Sequence, residues 1–123
     1  MPSILLVEDD DLLQDLYKRV LSLSGYQVLI AKDGEEGIRM MKQDKPGLVL
    51  LDIMMPKLDG LGMLKVIRED PDVKSIPVLV LTNLAGEEYA KKALELGALK
   101  YIIKSNHQPF EIIEMIKQYL PLV

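Results

Sequence analysis

The 123-residue chain has no cysteine, no tryptophan and a single histidine. Without thiols there is no disulfide framework, thiolate metal site or cysteine nucleophile, and one imidazole cannot build a histidine-rich metal cluster. Soft-metal and Ser-His-Asp chemistries are thereby set aside. Cationic surplus is also lacking: 15 Lys and Arg face 19 Asp and Glu, for a net charge of −4, and no stretch forms a local basic patch. That balance opposes attraction to phosphate backbones and anionic membranes, so no nucleic-acid or membrane partner is expected. Long hydrophobic runs are missing too. Apolar stretches such as Leu48 to Leu51 fall far below the ~20 residues of a membrane span. The N-terminus has no basic region followed by an apolar one, so the cytoplasm is the expected compartment.

What is present is an ordinary globular composition, 49% hydrophobic and 28% charged. The length suits one domain with one sizeable core, expected to occupy residues 1–123 with no output domain appended. The apolar pattern alternates short continuous runs with longer amphipathic segments, the rhythm of an α/β fold. The runs Ser3 to Val7, Tyr26 to Ala31, Leu48 to Leu51, Val78 to Leu81 and Tyr101 to Ile103 read as strands of a parallel sheet covered on both faces. Segments of helical period fall at about 10–24, 34–43, 60–69, 86–96 and 109–120, each long enough for a right-handed crossover. Gly25 and Gly97 sit where left-handed caps end helices, and Pro109 sits as a first helical residue. A three-layer αβα sandwich follows.

Chemistry collects where the apolar runs stop. Glu8 and Asp9 follow the first strand, Asp52 the third, Thr82 the fourth and Lys104 the fifth. All carboxyl ends of a parallel sheet lie on one edge, so these side chains converge where open α/β sheets bind ligands. Three carboxylates in one cleft repel one another, and a hard divalent cation with oxygen ligands, Mg²⁺ above all, offsets them. Lys104 supplies a point charge for a phosphoryl oxygen and Thr82 a hydroxyl donor for another. Asp52, between them, is the natural nucleophile, since a carboxylate can accept a phosphoryl group as an acyl phosphate.

Each residue also has a bland reading. Asp52 could merely bond turn amides, Thr82 could cap the next helix, Lys104 could be a solvated surface charge, and Glu8 to Asp11 could be an acidic helix start. Taken singly, these readings compete well. Together they leave unexplained why acids, hydroxyl and amine all fall at strand ends.

These residues carry a family resemblance over essentially the whole chain. Ile4-Leu5-Leu6-Val7-Glu8-Asp9-Asp10 and Leu50-Leu51-Asp52-Ile53-Met54-Met55-Pro56, with Asp59-Gly60, resemble the first strand, acidic pair, phosphoacceptor strand and following loop of bacterial two-component response-regulator receiver domains. The resemblance implies a flavodoxin-like sheet of order 2-1-3-4-5. It implies that Asp52 accepts phosphate from a sensor histidine kinase or a histidine phosphotransfer protein. It further implies that Asp9, Asp52 and the Met54 main-chain carbonyl hold Mg²⁺, or Mn²⁺ in its place, with Glu8 acting through water. Thr82 and Lys104 would hold phosphoryl oxygens, and Tyr101 would turn inward as Thr82 moves. The output implied is a changed surface on the fourth helix, fifth strand and fifth helix, read by a downstream effector protein, with the chain a monomer or a weak dimer formed on phosphorylation.

Two positions depart from the common pattern: Ser105 stands where many receivers have a proline, set by a cis bond, and Asn83 stands where a small residue is common. Met54 and Leu84 occupy positions that flank the path of attacking water in this family, and both are apolar, which predicts slow self-dephosphorylation. In the first helical segment, at roughly 100° per residue, the apolar residues from Leu12 through Leu16, Val20, Leu13 and Tyr17 to Leu21 fill an arc of about 180°, wider than a core-facing stripe. Leu12 and Leu13, with Ser105, are candidate partner-docking residues. Three other readings stand beside the receiver. A haloacid dehalogenase-type aspartyl-phosphate phosphatase would need an acid where this chain has Met54. A flavin carrier's phosphate would be repelled by Glu8-Asp9-Asp10-Asp11. The third is a receiver module taken from a hybrid kinase or multidomain regulator.

Overall fold

A computed structural model describes residues 2–55 and 59–122. The chain order is β1 (Ser3–Val7), α1 (Asp11–Leu23), β2 (Gln27–Ala31), α2 (Gly34–Asp44), β3 (Leu48–Leu51), α3 (Gly60–Glu69), β4 (Val78–Thr82), α4 (Glu87–Glu95), β5 (Lys100–Ile103) and α5 (Pro109–Tyr119). All strand pairs are parallel, in the order β2-β1-β3-β4-β5. The expected αβα sandwich is the one observed.

Strand alternation divides the core in two. Leu5, Val7, Val49, Leu51, Val78 and Val80 point toward α2, α3 and α4, where Met41, Met63, Leu64, Ile67 and Ala93 close the layer. Ile4, Leu6, Leu48, Leu50, Leu79, Leu81 and Ile102 point the other way, against Tyr17 and Leu21 of α1 and Ile112, Ile113 and Ile116 of α5. Burial on both faces is why these strands read as unbroken apolar runs.

The differences from the sequence reading lie at element ends. Thr82 is the last residue of β4, not the residue after it, because it pairs with Ile103. Tyr26 stays outside β2: its N–H bonds the Leu21 carbonyl in the turn that ends α1, and its hydroxyl bonds the Leu120 carbonyl. Gly25 and Gly97 have φ of 108° and 103°, the left-handed conformation that glycine adopts without a Cβ clash. The acidic run after β1 splits by role, since Asp10 caps α1 by accepting from the Leu12 and Leu13 N–H groups at 2.9 and 3.1 Å. Glu8 and Asp9 are left for other work.

The wide apolar arc of α1 also divides. Tyr17 and Leu21 are core, Leu13 and Val20 pack against it, and Leu12, Leu16 and Leu23 are exposed. Of the candidate docking pair, Leu12 is 80% exposed and Leu13 is part of the packed side. Leu13 is half-buried, with one side against the core.

Candidate functional site

Sheet register assembles the site. Val7 pairs with Leu51, and the Asp52 N–H bonds the Val7 carbonyl at 3.1 Å, so Glu8 and Asp52 leave the sheet side by side. Thr82 pairs with Ile103, which places Lys104 one residue beyond Thr82's partner. Residues spread over the chain meet because each ends a strand that the core holds in place.

The contacts are direct. Thr82 Oγ1 donates to Asp52 Oδ1 at 2.7 Å, and the Met54 N–H donates to the same oxygen at 3.0 Å. Lys104 Nζ lies 3.3 Å from Asp52 Oδ2 and donates a shorter bond to Glu8 Oε1. The other Glu8 oxygen accepts the Asp10 N–H at 3.2 Å, and the Gln14 side chain donates to the Glu8 carbonyl. Lys104 is only 8% exposed, which excludes a solvated surface role, and Thr82 is fully buried. Thr82 is not a helix cap either, since α4 begins after Gly86. The turn reading of Asp52 holds alongside its position in the cluster, through the Met54 N–H.

Burial raises the Glu8 carboxyl above its ordinary 4.5, although the Lys104 hydrogen bond and charge oppose the shift. Burial also acts against the Lys104 ammonium, but the Glu8 hydrogen bond and the Asp52 and Glu8 charges outweigh it, and its pKa rises above 10.5. The ammonium is thus the charged partner of a crowded anionic site.

A cation fits what surrounds it. Glu8, Asp9 and Asp52 each offer a carboxylate oxygen, all within 4.8 Å of one another. Three carboxylates less one ammonium leave two negative charges, the charge of one divalent ion. An all-oxygen set that includes the exposed Asp9 suits a hard cation that keeps waters on its open side.

Around this cluster, Tyr101 donates its hydroxyl to the Leu84 carbonyl, and the Leu84 N–H donates to Thr82 Oγ1 at 3.2 Å. The Leu84 side chain packs against the core, whereas Met54 is 55% exposed. Ser105 is exposed, and its N–H donates to Asn83 Oδ1 at 3.1 Å. No cis peptide bond occurs among the described residues; Lys104–Asn106 instead form a short 3₁₀ turn. Pro56 of the loop motif lies outside the described residues.

Sequence reasoning missed three features here. Gly60 carries no side chain because an added Cβ would lie 2.5 Å from Ile53 Cα and 2.7 Å from the Asp52 carbonyl oxygen. Phe110, at the start of α5, is 67% exposed. A groove of about 470 Å³ between α4 and β5, away from the acidic cluster, is lined by Ala90, Leu94, Leu99 and Tyr101 among others. For Gly60 the signal was at hand, in an Asp-Gly pair that opens a helix beside the Asp52 turn.

A doubly wound parallel sheet with acids, hydroxyl and lysine at its carboxyl edge is the arrangement of a signalling module rather than a classical enzyme. The family model for the response regulator receiver domain matches residues 4–117, and the chain belongs to that family. The DNA-binding dual master transcriptional regulator RpaA of Synechocystis is 36% identical over 123 residues, which is all of this chain and 49% of that protein. The chain therefore spans about half the length of the curated relatives it matches. Among solved structures, the phosphorylated cyanobacterial phytochrome response regulator RcpA is 32% identical with a TM-score of 0.89, covering 99% of this chain and 96% of that one. The Mn²⁺-bound form of response regulator Rcp1 is likewise 32% identical, with a TM-score of 0.87 over 100% and 97% of the two chains. Two-component receiver signalling is the shared role. Among the described residues no helix is long and apolar enough to cross a membrane.

Proposed function

We propose that this chain is a phosphorylation-dependent switch in which Asp52 accepts a phosphoryl group from a phosphohistidine of a sensor kinase or histidine phosphotransfer protein. The observation that carries this reading is the Asp52 carboxylate itself, with the Thr82 hydroxyl at 2.7 Å on one oxygen and Lys104 at 3.3 Å on the other. An Asp52 oxygen attacks phosphorus, the P–O bond forms as the P–N bond breaks, and the imidazole leaves with the electron pair and takes a proton from solvent. Thr82 and Lys104 then turn their donors from the carboxylate to the phosphoryl oxygens. Asp9, Asp52 and the Met54 carbonyl would hold Mg²⁺ or Mn²⁺, with Glu8 acting through water. That ion supplies positive charge against the transferring phosphoryl oxygens.

Tyr101 joins the site to the surface, its hydroxyl on Leu84 and its ring on the groove between α4 and β5. The face formed by α4, β5 and α5 is the one a downstream protein would read. A second reading rests on the relatives' greater length: in a longer protein of their kind, this face would be read by another part of the same chain. Any DNA contact would belong to that other part, since this chain carries a net charge of −4. On the input side, Leu12 and Ser105 are exposed and would meet the donor protein. Apolar Met54 and Leu84 leave an attacking water poorly oriented, so the phosphoryl group should persist well beyond seconds.

Intact mass after incubation with acetyl phosphate and Mg²⁺, for wild type and Asp52→Asn, tests the central claim. A phosphohistidine protein serves as the donor if acetyl phosphate is slow. One metal-dependent phosphoryl adduct on the wild type alone is expected; no adduct from either donor, or an equal one on the variant, overturns the reading.

A further inference from the structure

The two positions that depart from the common receiver pattern touch each other. Asn83 follows Thr82 and Ser105 follows Lys104, and the Ser105 N–H donates to Asn83 Oδ1 at 3.1 Å. A proline at 105 would have no N–H to give, and a glycine or alanine at 83 no side-chain acceptor to receive it, so the bond depends on both residues. The amides that open a helical turn need partners from outside it. The 3₁₀ turn Lys104–Asn106 has no side-chain cap of its own, and Asn83 reaches it from the loop between β4 and α4.

The bond lies beside the chemistry. Each of its two residues is the next residue after a group that bonds Asp52, Thr82 through its hydroxyl and Lys104 through its ammonium. Tyr101 and the Leu84 N–H hold the Thr82 loop from the far side, at Leu84. On the near side the Asn83 carboxamide ties that loop to the turn after β5. We propose that Asn83 is a positioning residue. Its clasp on Ser105 holds the Thr82 hydroxyl and the Lys104 ammonium at the separation at which both reach Asp52.

This inference rests on the reading of Asp52 as phosphoacceptor, and the test separates the two. Wild type, Asn83→Ala and Asn83→Asp are compared by amide exchange and chemical shift at Ser105, Leu84 and Thr82, and by phosphorylation with acetyl phosphate and Mg²⁺ at varied donor concentration. In Asn83→Ala the Ser105 amide should exchange faster and the Thr82 and Leu84 signals should move. Its maximal phosphorylation rate should fall about threefold to fivefold, the size of one hydrogen bond's loss, with the half-saturating donor concentration unchanged. Asn83→Asp keeps the acceptor, so its Ser105 amide should exchange as slowly as in the wild type and its maximal rate should hold, while its added charge raises the half-saturating concentration of the anionic donor. If the Thr82 and Leu84 signals of Asn83→Ala overlie those of the wild type, or its maximal rate is unchanged or raised, the clasp does not position these groups and Asn83 only covers the site. If instead the wild type takes no phosphoryl group on Asp52, the functional reading fails, while the amide exchange and chemical shifts still decide whether the clasp exists.

Discussion

Replacing Asp52 by Asn should make the metal-free protein more stable while removing most of its response to Mg²⁺. The magnitude follows from distances at the site. Lys104 Nζ is 3.3 Å from Asp52 Oδ2, an attraction of about 5 kcal/mol at an effective dielectric constant of about 20. Glu8 and Asp9 present oxygens within 4.8 Å of Asp52, and each repulsion is about 3.5 kcal/mol on the same scale. Repulsion wins by about 2 kcal/mol, less some screening because Asp9 is exposed. Asn keeps the oxygen that accepts from Thr82 and the Met54 N–H, so the gain should survive as about 1 kcal/mol. The assay is urea unfolding followed by circular dichroism, in chelator and in Mg²⁺. At about a hundred times the dissociation constant, Mg²⁺ should add roughly 2.7 kcal/mol to the wild type and much less to the variant. A variant less stable than wild type in chelator would refute the reasoning, because the Asp52 charge would then be favourable on balance without a cation.

Gly60→Ala should destabilise by about 1–3 kcal/mol, because the new Cβ meets backbone atoms of Ile53 and Asp52 that cannot yield as a flexible side chain could. Calorimetric titration should also show weaker Mg²⁺ binding as the Asp52–Met54 turn shifts, and unchanged affinity would separate the turn from the metal site. Lys104→Met should cost about 3 kcal/mol near neutral pH, since it strands the buried Glu8 carboxylate. That cost should shrink as the pH is lowered and Glu8 takes up a proton; a pH-independent loss would point to packing alone. Burial raises the pKa of Tyr17, Tyr26 and Tyr101 above 10.0. A group with a raised folded pKa contributes stability that is complete below its unfolded pKa and is lost as pH rises through the folded value. The urea midpoint should therefore fall above about pH 10, with Lys104 adding to the loss, and a midpoint that stays flat while the tyrosines ionise would contradict the assignment.

The fold was legible because each strand lies between two apolar layers and so appears as an uninterrupted apolar run. Strand ends were less so, as at Thr82, a polar residue that apolar patterning leaves out although it completes a ladder with Ile103. Asp52, Thr82, Lys104 and Glu8 could be brought together from sequence because parallel topology alone sends all four to one edge. The Asn83–Ser105 bond could not, since side-chain reach between two loops leaves no period in the sequence. The α1 arc was visible only as a sum: periodicity shows that Leu12 and Leu13 are apolar, but tertiary packing in the α1–α5 layer decides which of them is covered.

Rigidity beneath the site determines what can move in response to it. Val49, Leu50, Leu51, Leu79 and Val80 are fully buried, so shifting β3 or β4 would open the close-packed layers on both sides. On the proposed reading, a phosphoryl group on Asp52 would act through groups that can turn without disturbing the sheet, and the hydrogen bonds trace such a route. Asp52 Oδ1 meets Thr82 Oγ1, that hydroxyl accepts the Leu84 N–H, and the Leu84 carbonyl accepts the Tyr101 hydroxyl. Tyr101 lines the groove between α4 and β5, so on that reading re-aiming the Thr82 hydroxyl would change the shape offered there. Leu12 and the exposed stripe of α1 lie across the other layer, off this route. On the proposed reading the groove residues are distinct from Leu12, so substitutions in the groove, such as Leu99→Asp, should impair reading while leaving the rate of Asp52 phosphorylation unchanged.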